Sequence, residues 1–161
     1  MEKPKTPRDS SVETRYLVTP VHADSYGIAF GGVVISWIDT VANMVAQRHC
    51  EGEAVTVSID RISFKAPINV GDHVILKASV NYVGSTSMEV GVQVTKENPF
   101  TGEQIRTTTA YLTFVALDQH KNPKRAPALQ PEIKDEKRRY ENARIRVETR
   151  MGMFQKLKKD K

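Results

Sequence analysis

The sequence predicts an α+β fold in which an antiparallel β-sheet wraps around one long central helix, with a further helix at the C-terminal end. Three observations predict it. Between Val33 and His49, apolar residues recur at steps of three and four with almost no charge, the pattern of a mostly buried helix. Four segments of period-2 alternation then follow one another across short turns, which means neighbouring antiparallel strands. The 161 residues, 39% apolar and 27% charged, suit one domain with one core. A helix apolar nearly all round must be covered on all sides, and the sheet supplies that cover.

Taken in order, residues 1–11 are rich in Pro, Lys and Ser and read as a frayed, disordered terminus. Residues 12–120 form the main domain, and 121–161 a linker and basic C-terminal helix. A first strand runs from Val12 to Val18 and ends before Pro20. The loop "VHADSYGIAFGG" leads into the helix, whose apolar set is Val34, Ile35, Ile38, Val41, Ala42, Val45 and Ala46. In "AVTVSIDRISFKAPI", Val55, Val57 and Ile59 alternate on odd numbers but Ile62, Phe64 and Ala66 on even ones. One extra residue near Asp60 and Arg61 resets the face, so a β-bulge is predicted there. Strands follow over Val74 to Tyr82, Met88 to Val94 and Ile105 to Asp118, joined by "VGS" and "NPFTGE" turns. From Pro131 the chain is helical again, with a thin apolar stripe of Ile133, Tyr140, Ile145 and Val147. A helix this polar packs loosely, docks on a partner subunit or frays. The strands are long for a small sheet, and pairing of exposed edges in a dimer is the natural remedy.

Composition excludes several classes. The net charge of +5 resides in Pro131 to Lys161, with eleven Lys and Arg against six Asp and Glu. Without interleaved aromatic residues this is a solvated basic helix, and no nucleic-acid partner is expected. Cys50 is the single cysteine, so no disulfide forms within the chain and a reducing, cytoplasmic setting is expected. Residues 1–11 are polar with no apolar h-region, and no apolar run nears 18 residues, so no membrane association is expected. The histidines at 22, 49, 73 and 120 lack ligand spacing, so no metal is expected, and no G-x-S-x-G nucleophile motif occurs.

Asp39 is the one acid within the apolar helix. Helical spacing puts it on the face of Ile35, Ala42 and Ala46, where a carboxylate without partners is costly. Two readings stand: a structural carboxylate, satisfied by neighbouring backbone or paired with Arg48 or Arg61, or a reactive carboxylate. Gly31 and Gly32, just before the helix, serve either a tight turn or close approach of a ligand to the first helical N–H groups.

The segments "FGGVVISWIDTVANMVAQRHC", "VTVSIDRISFKAPINVGD", "STSMEV" and "TTTAYLTFVALD" together resemble the hotdog-fold acyl-CoA thioesterases, in the branch of YciA-like bacterial enzymes and brain-type cytosolic acyl-CoA hydrolases. The likeness runs over about residues 12–150 in the same order and spacing. It implies a hotdog domain, and a dimer with sheets joined edge to edge, commonly built into a trimer of dimers. It implies hydrolysis of acyl-CoA to carboxylic acid and CoA without a cofactor, at sites between two subunits. Under it Asp39 is the general base or nucleophile, and the helix start at Gly31 and Gly32 is the oxyanion hole. Asp24 stands where relatives often carry the Asn that assists from the opposing subunit. The departure puts a second carboxylate near the site, which His22 can offset. Ser58 is a candidate to hold water. Backbone N–H groups of Gly84, Ser85 and Thr86 are candidates for the pantetheine or diphosphate, and Arg61, Lys65, Arg138 and Arg139 for the CoA phosphates. The competing function is a non-catalytic acyl-CoA-binding hotdog module. A hotdog hydratase usually presents a His, and the helix has none from Val33 to Gln47.

Overall fold

The computed structural model describes residues 2–159. A one-turn helix α1 (Pro7–Ser10) precedes strand β1 (Val12–Leu17), and the long helix α2 spans Gly31–Cys50. Strands β2 (Glu53–Ile59), β3 (His73–Val83), β4 (Ser87–Glu97) and β5 (Gln104–Leu117) follow, then helix α3 (Lys134–Lys159). The predicted terminal helix thus starts three residues later than Pro131, and the last two residues lie outside the described ones.

The sheet is antiparallel throughout, in the order β1-β3-β4-β5-β2. Its inner face presents Val74, Leu76 and Val80 of β3, Val90, Val92 and Val94 of β4, and Ala110, Leu112, Phe114 and Ala116 of β5. Against them α2 buries Val34, Trp37, Ile38, Val41, Ala42, Val45 and Ala46. Period-2 alternation in the strands and 3.6-residue periodicity in the helix meet in one core. The hotdog arrangement is therefore observed. α3 lies on the opposite, outer face of the sheet, with Tyr140 against Tyr82 and Arg146 on Glu89.

Three expectations need correction. Residues 2–11 are not loose: Lys5 Nζ donates to the carbonyls of Arg48 and His49 at the end of α2, and Lys5 pairs with Leu129 along the backbone. A cation on the orphan carbonyls of a helix C-terminus is favoured by both hydrogen bonding and the helix dipole. Second, the bulge lies at Val57, where the β2–β5 register steps from Thr56↔Phe114 to Ser58↔Thr113. Strand β2 then ends at Ile59, and residues 60–66 run on as a loop held by Asp60 N–H to the Tyr111 carbonyl and Lys65 N–H to the Thr107 carbonyl. Third, the stripe of α3 is shifted. Ala143 and Glu136 are its buried residues, while Ile133 and Ile145 are exposed.

Candidate active site

Asp39 sits just before the middle of α2, half-buried, facing β2. Its Oδ1 accepts a hydrogen bond from Thr56 Oγ1 at 2.7 Å. No ion pair involves it among the described residues, so the reading as a structural pair with Arg48 or Arg61 fails. Arg48 instead donates to the carbonyls of Ser11 and Asp9, and Arg61 is exposed on the loop after β2. A neutral hydroxyl thus fixes the carboxylate's orientation on one oxygen and leaves the other available for a proton. One turn further along, Asn43 donates from Nδ2 to the Ala54 carbonyl at 3.5 Å, and its Oδ1 is buried with no partner.

Alternation alone places Thr56 and Ser58 on the same face of a strand. The bulge separates them. Thr56 pairs opposite the inward Phe114, whereas Ser58 pairs opposite Thr113 and points to the outer face. There Arg150 of α3 donates to Ser58 Oγ at 3.4 Å and to Thr113 Oγ1 at 3.2 Å. Ser58 is therefore not at the Asp39 site, and Thr56 takes that place. Because the bulge lies at Val57 rather than near Asp60, the face flips before Ser58.

At the other end of the site, α2 starts with Gly31 and Gly32 as its first two residues, after an extended Phe30 (φ −60°, ψ 131°) that offers no side-chain cap. Their N–H groups have no carbonyl within the helix to reach. A Cβ on Gly31 meets only the Phe64 ring at 3.8 Å, but one on Gly32 falls 2.6 Å from the Phe30 ring. The loop before the helix is closed on itself: Phe30 N–H reaches the His22 carbonyl and Ala29 N–H the Ile68 carbonyl. Asp24 shapes this loop, its Oδ1 accepting from the N–H groups of Tyr26 (2.8 Å) and Ile28 (3.2 Å), an Asx turn. His22 does not offset the Asp24 charge. Its Nδ1 is bonded to Thr19 and its ring stands edge-on to Trp37 at 5.0 Å.

The remaining candidates divide. Gly84 N–H is taken by the Ser87 carbonyl, and the carbonyls of Ser85 and Thr86 accept from Ala126 and Ala116, so Gly84 offers a ligand no donor. Lys65 is exposed. Arg138 and Arg139 both pair with Asp135, at 2.5 and 3.1 Å. They line a cavity of about 490 Å³ under α3, with Lys77, Arg106 and Tyr111. That is the outer face of the sheet, away from the Asp39 of their own chain. The thiol of Cys50 is buried, which pushes its pKa up, as suits inert packing. No helix among the described residues is long and apolar enough to cross a membrane.

Asp39 lies eight helical steps beyond Gly31, about 12 Å of helix. One thioester carbonyl needs a base within reach of a water and oxyanion donors near 3 Å. A single chain therefore holds two halves of a site that do not converge on one carbonyl.

The model of the thioesterase superfamily matches residues 26–102, a span that contains both halves. The uncharacterized acyl-CoA thioester hydrolase YkhA of Bacillus subtilis (strain 168) is 41% identical over 138 residues, covering 84% of this chain and 80% of that protein. The chain belongs to the thioesterase superfamily. Among solved members of this superfamily, the acyl-CoA hydrolase of Staphylococcus aureus in complex with butyryl coenzyme A and coenzyme A is 35% identical, with a TM-score of 0.89 over 96% of this chain and 94% of that one. An apo-hexameric acyl-CoA thioesterase is 38% identical, with a TM-score of 0.91 over 94% and 97%. The S. aureus hydrolase has also been solved with an aspartate, an asparagine and a threonine each replaced by alanine. In that chain the asparagine precedes the aspartate by 15 residues and the threonine follows it by 17. Asp24, Asp39 and Thr56 have the same spacings here.

Proposed function

We propose that this chain is an acyl-CoA thioesterase that hydrolyses its substrate to free carboxylic acid and CoA at a site built by two copies. The observation that carries the proposal is the half-buried Asp39 carboxylate, oriented by Thr56 and unpaired with any cation among the described residues. The free oxygen of Asp39 takes a proton from water as the water oxygen attacks the thioester carbon. The carbonyl oxygen becomes an oxyanion, held by the N–H groups at Gly31 and Gly32 of the second copy and by the positive end of that helix. On collapse the C–S bond breaks, and the proton on Asp39 passes to the CoA sulfur. Water and one carboxylate balance the reaction, so no cofactor enters it.

The split of about 12 Å along α2 supports the second copy. So does β2, an edge strand with Val55, Val57 and Ile59 exposed by 41%, 53% and 41%. Pairing of β2 with β2 of another copy joins two sheets and covers these residues. The hexamers among the solved relatives support a trimer of such dimers here. A cytoplasmic setting suits a chain whose single thiol is buried.

Thiol release from a panel of acyl-CoAs tests the activity, wild type beside Asp39→Asn. The wild type turns over at least one chain length, and the variant loses about 10²–10⁴-fold in kcat. Near-full activity in the variant overturns the role of Asp39. CoA binding without turnover in the wild type makes the chain a binding module instead.

A further inference from the structure

α3 is longer than the sheet it crosses. Glu136 is buried near its start and pairs with Arg8 of α1, the helix that leads into β1, at 3.1 Å. Arg146 then bonds Glu89 of β4 and lies 3.6 Å over the Tyr111 ring of β5. Arg150 reaches Thr113 of β5, Ser58 of β2 and Asp60 just beyond it. The helix therefore traverses the outer face from the β1 side to the β2 edge. From Glu136 to Arg150 is about 21 Å of helix, close to the roughly 19 Å of four inter-strand spacings. At Arg150 the sheet of this chain ends, yet α3 continues from Met151 to Lys159, about another 13 Å.

This overhang is the most apolar part of an otherwise polar helix. Met151, Met153, Phe154 and Leu157 are exposed by 60%, 55%, 56% and 56%. Met151, Phe154 and Leu157 follow at three-residue steps and make one stripe. Met151 and Phe154 also rim a shallow recess with Ser58, Thr113 and Tyr82, so the stripe starts on the outer face beside β2. Apolar side chains grouped beyond the edge of a core mark an interaction surface.

We propose that the last nine described residues of α3 form a clasp on a second copy of this chain. The inference rests on the β2-edge dimer proposed above. When two sheets join along β2, the space past that edge is the outer face of the other copy's β2. An overhang of about 13 Å spans two to three strand widths there. Two-fold symmetry brings the other copy's overhang back across the same seam. Met151, Phe154 and Leu157 of both copies then share one patch with Val55, which points outward from β2 opposite Val115. The occupant is a second copy, because the overhang continues from the edge at which the second sheet adds.

Two variants test this without touching the site residues. Phe154→Asp/Leu157→Asp raises the dissociation constant of the dimer at least about tenfold in a sedimentation dilution series, while activity at high protein concentration stays at the wild-type level. Leu157→Cys gives a covalent dimer with a short bis-maleimide, and Glu141→Cys, exposed earlier on α3, does not. A wild-type dimer with no Leu157→Cys cross-link and an unchanged dissociation constant for the Asp pair overturns the clasp but leaves the dimer standing. Intact dimers released from a hexamer by the Asp pair also overturn it, since the overhang then serves the contact between dimers. A wild-type monomer overturns both the clasp and the shared site.

Discussion

Thr56 supports Asp39 through a neutral donor, and this sets what each substitution does. Thr56→Val keeps the volume and β-branching but removes the hydroxyl, freeing the carboxylate to rotate. The loss of a hydrogen bond to a charged group amounts to about 1.5 kcal/mol, or roughly tenfold. The expected outcome is a fall of that size in kcat with KM little changed, and recovery in Thr56→Ser; steady-state kinetics on one acyl-CoA checks both. A KM effect with unchanged kcat rejects the positioning role. Asp24 makes a second case. Its Oδ1 is committed to two backbone N–H groups, so only the other atom faces outward. Asp24→Asn keeps the Asx turn and exchanges an outward acceptor for a donor. Thermal stability is expected to stay the same while kcat changes; an unchanged kcat removes Asp24 from the site.

Much of the residue-scale site was legible in the sequence, because an acid within an apolar stripe and two glycines at a helix start are local signals. Thr56 was not. It shares a strand face with Ser58 by alternation, and only the bulge at Val57, a feature of pairing with β5, decides which of the two looks inward. That Arg138 and Arg139 lie on the outer face, away from the Asp39 of their own chain, was not legible for a similar reason. Charge can be read from sequence, but the side of the sheet on which a terminal helix docks cannot.

At the scale of elements, the C-terminal end of α2 is the best-defined junction. The helix stops at Glu51 in the left-handed conformation (φ 50°, ψ 45°), with its N–H on the Gln47 carbonyl. A left-handed non-glycine residue is strained, and Glu51 pairs with Lys5 at 2.6 Å only at an exposed position. Glu51→Gly is expected to raise Tm by about 2–4 °C, measured by thermal unfolding; a lower Tm shows that the Lys5 pair outweighs the strain. Beside it, His49 is fully buried, its Nε2 on the Pro127 carbonyl at 2.9 Å and its Nδ1 near Ser10 Oγ at 3.3 Å. It thus ties together α1, α2 and the segment before α3. Burial holds the His49 pKa below its ordinary 6.5, so the unfolded chain binds a proton more readily than the folded one. That contribution to stability is intact above pH about 6.5 and is lost as the pH falls further. Tm is expected to drop between pH 7 and 5, and less steeply in His49→Gln. Parallel slopes in the two proteins reject His49 as the source.

At the scale of the whole molecule, the two halves of the site set a test that only an oligomer can pass. Gly31→Pro is suited to it. Proline is accommodated at the first helical position, its missing N–H was unpaired in the helix, and the extended Phe30 before it suits a following proline. A Cβ at position 31 meets no contact closer than 3.8 Å. The variant therefore folds while losing an oxyanion donor, and kcat is expected to fall about 10²–10³-fold. Asp39→Asn disables the other half. In an equal mixture of the two variants with free subunit exchange, half of the dimers are mixed. Each mixed dimer has one site with both defects and one with neither, because Asp39 of the Gly31→Pro copy faces the intact helix start of the other. One site in four is restored, so the mixture is expected to recover about a quarter of wild-type activity from two nearly inactive proteins. A site contained within one chain recovers nothing at any mixing ratio.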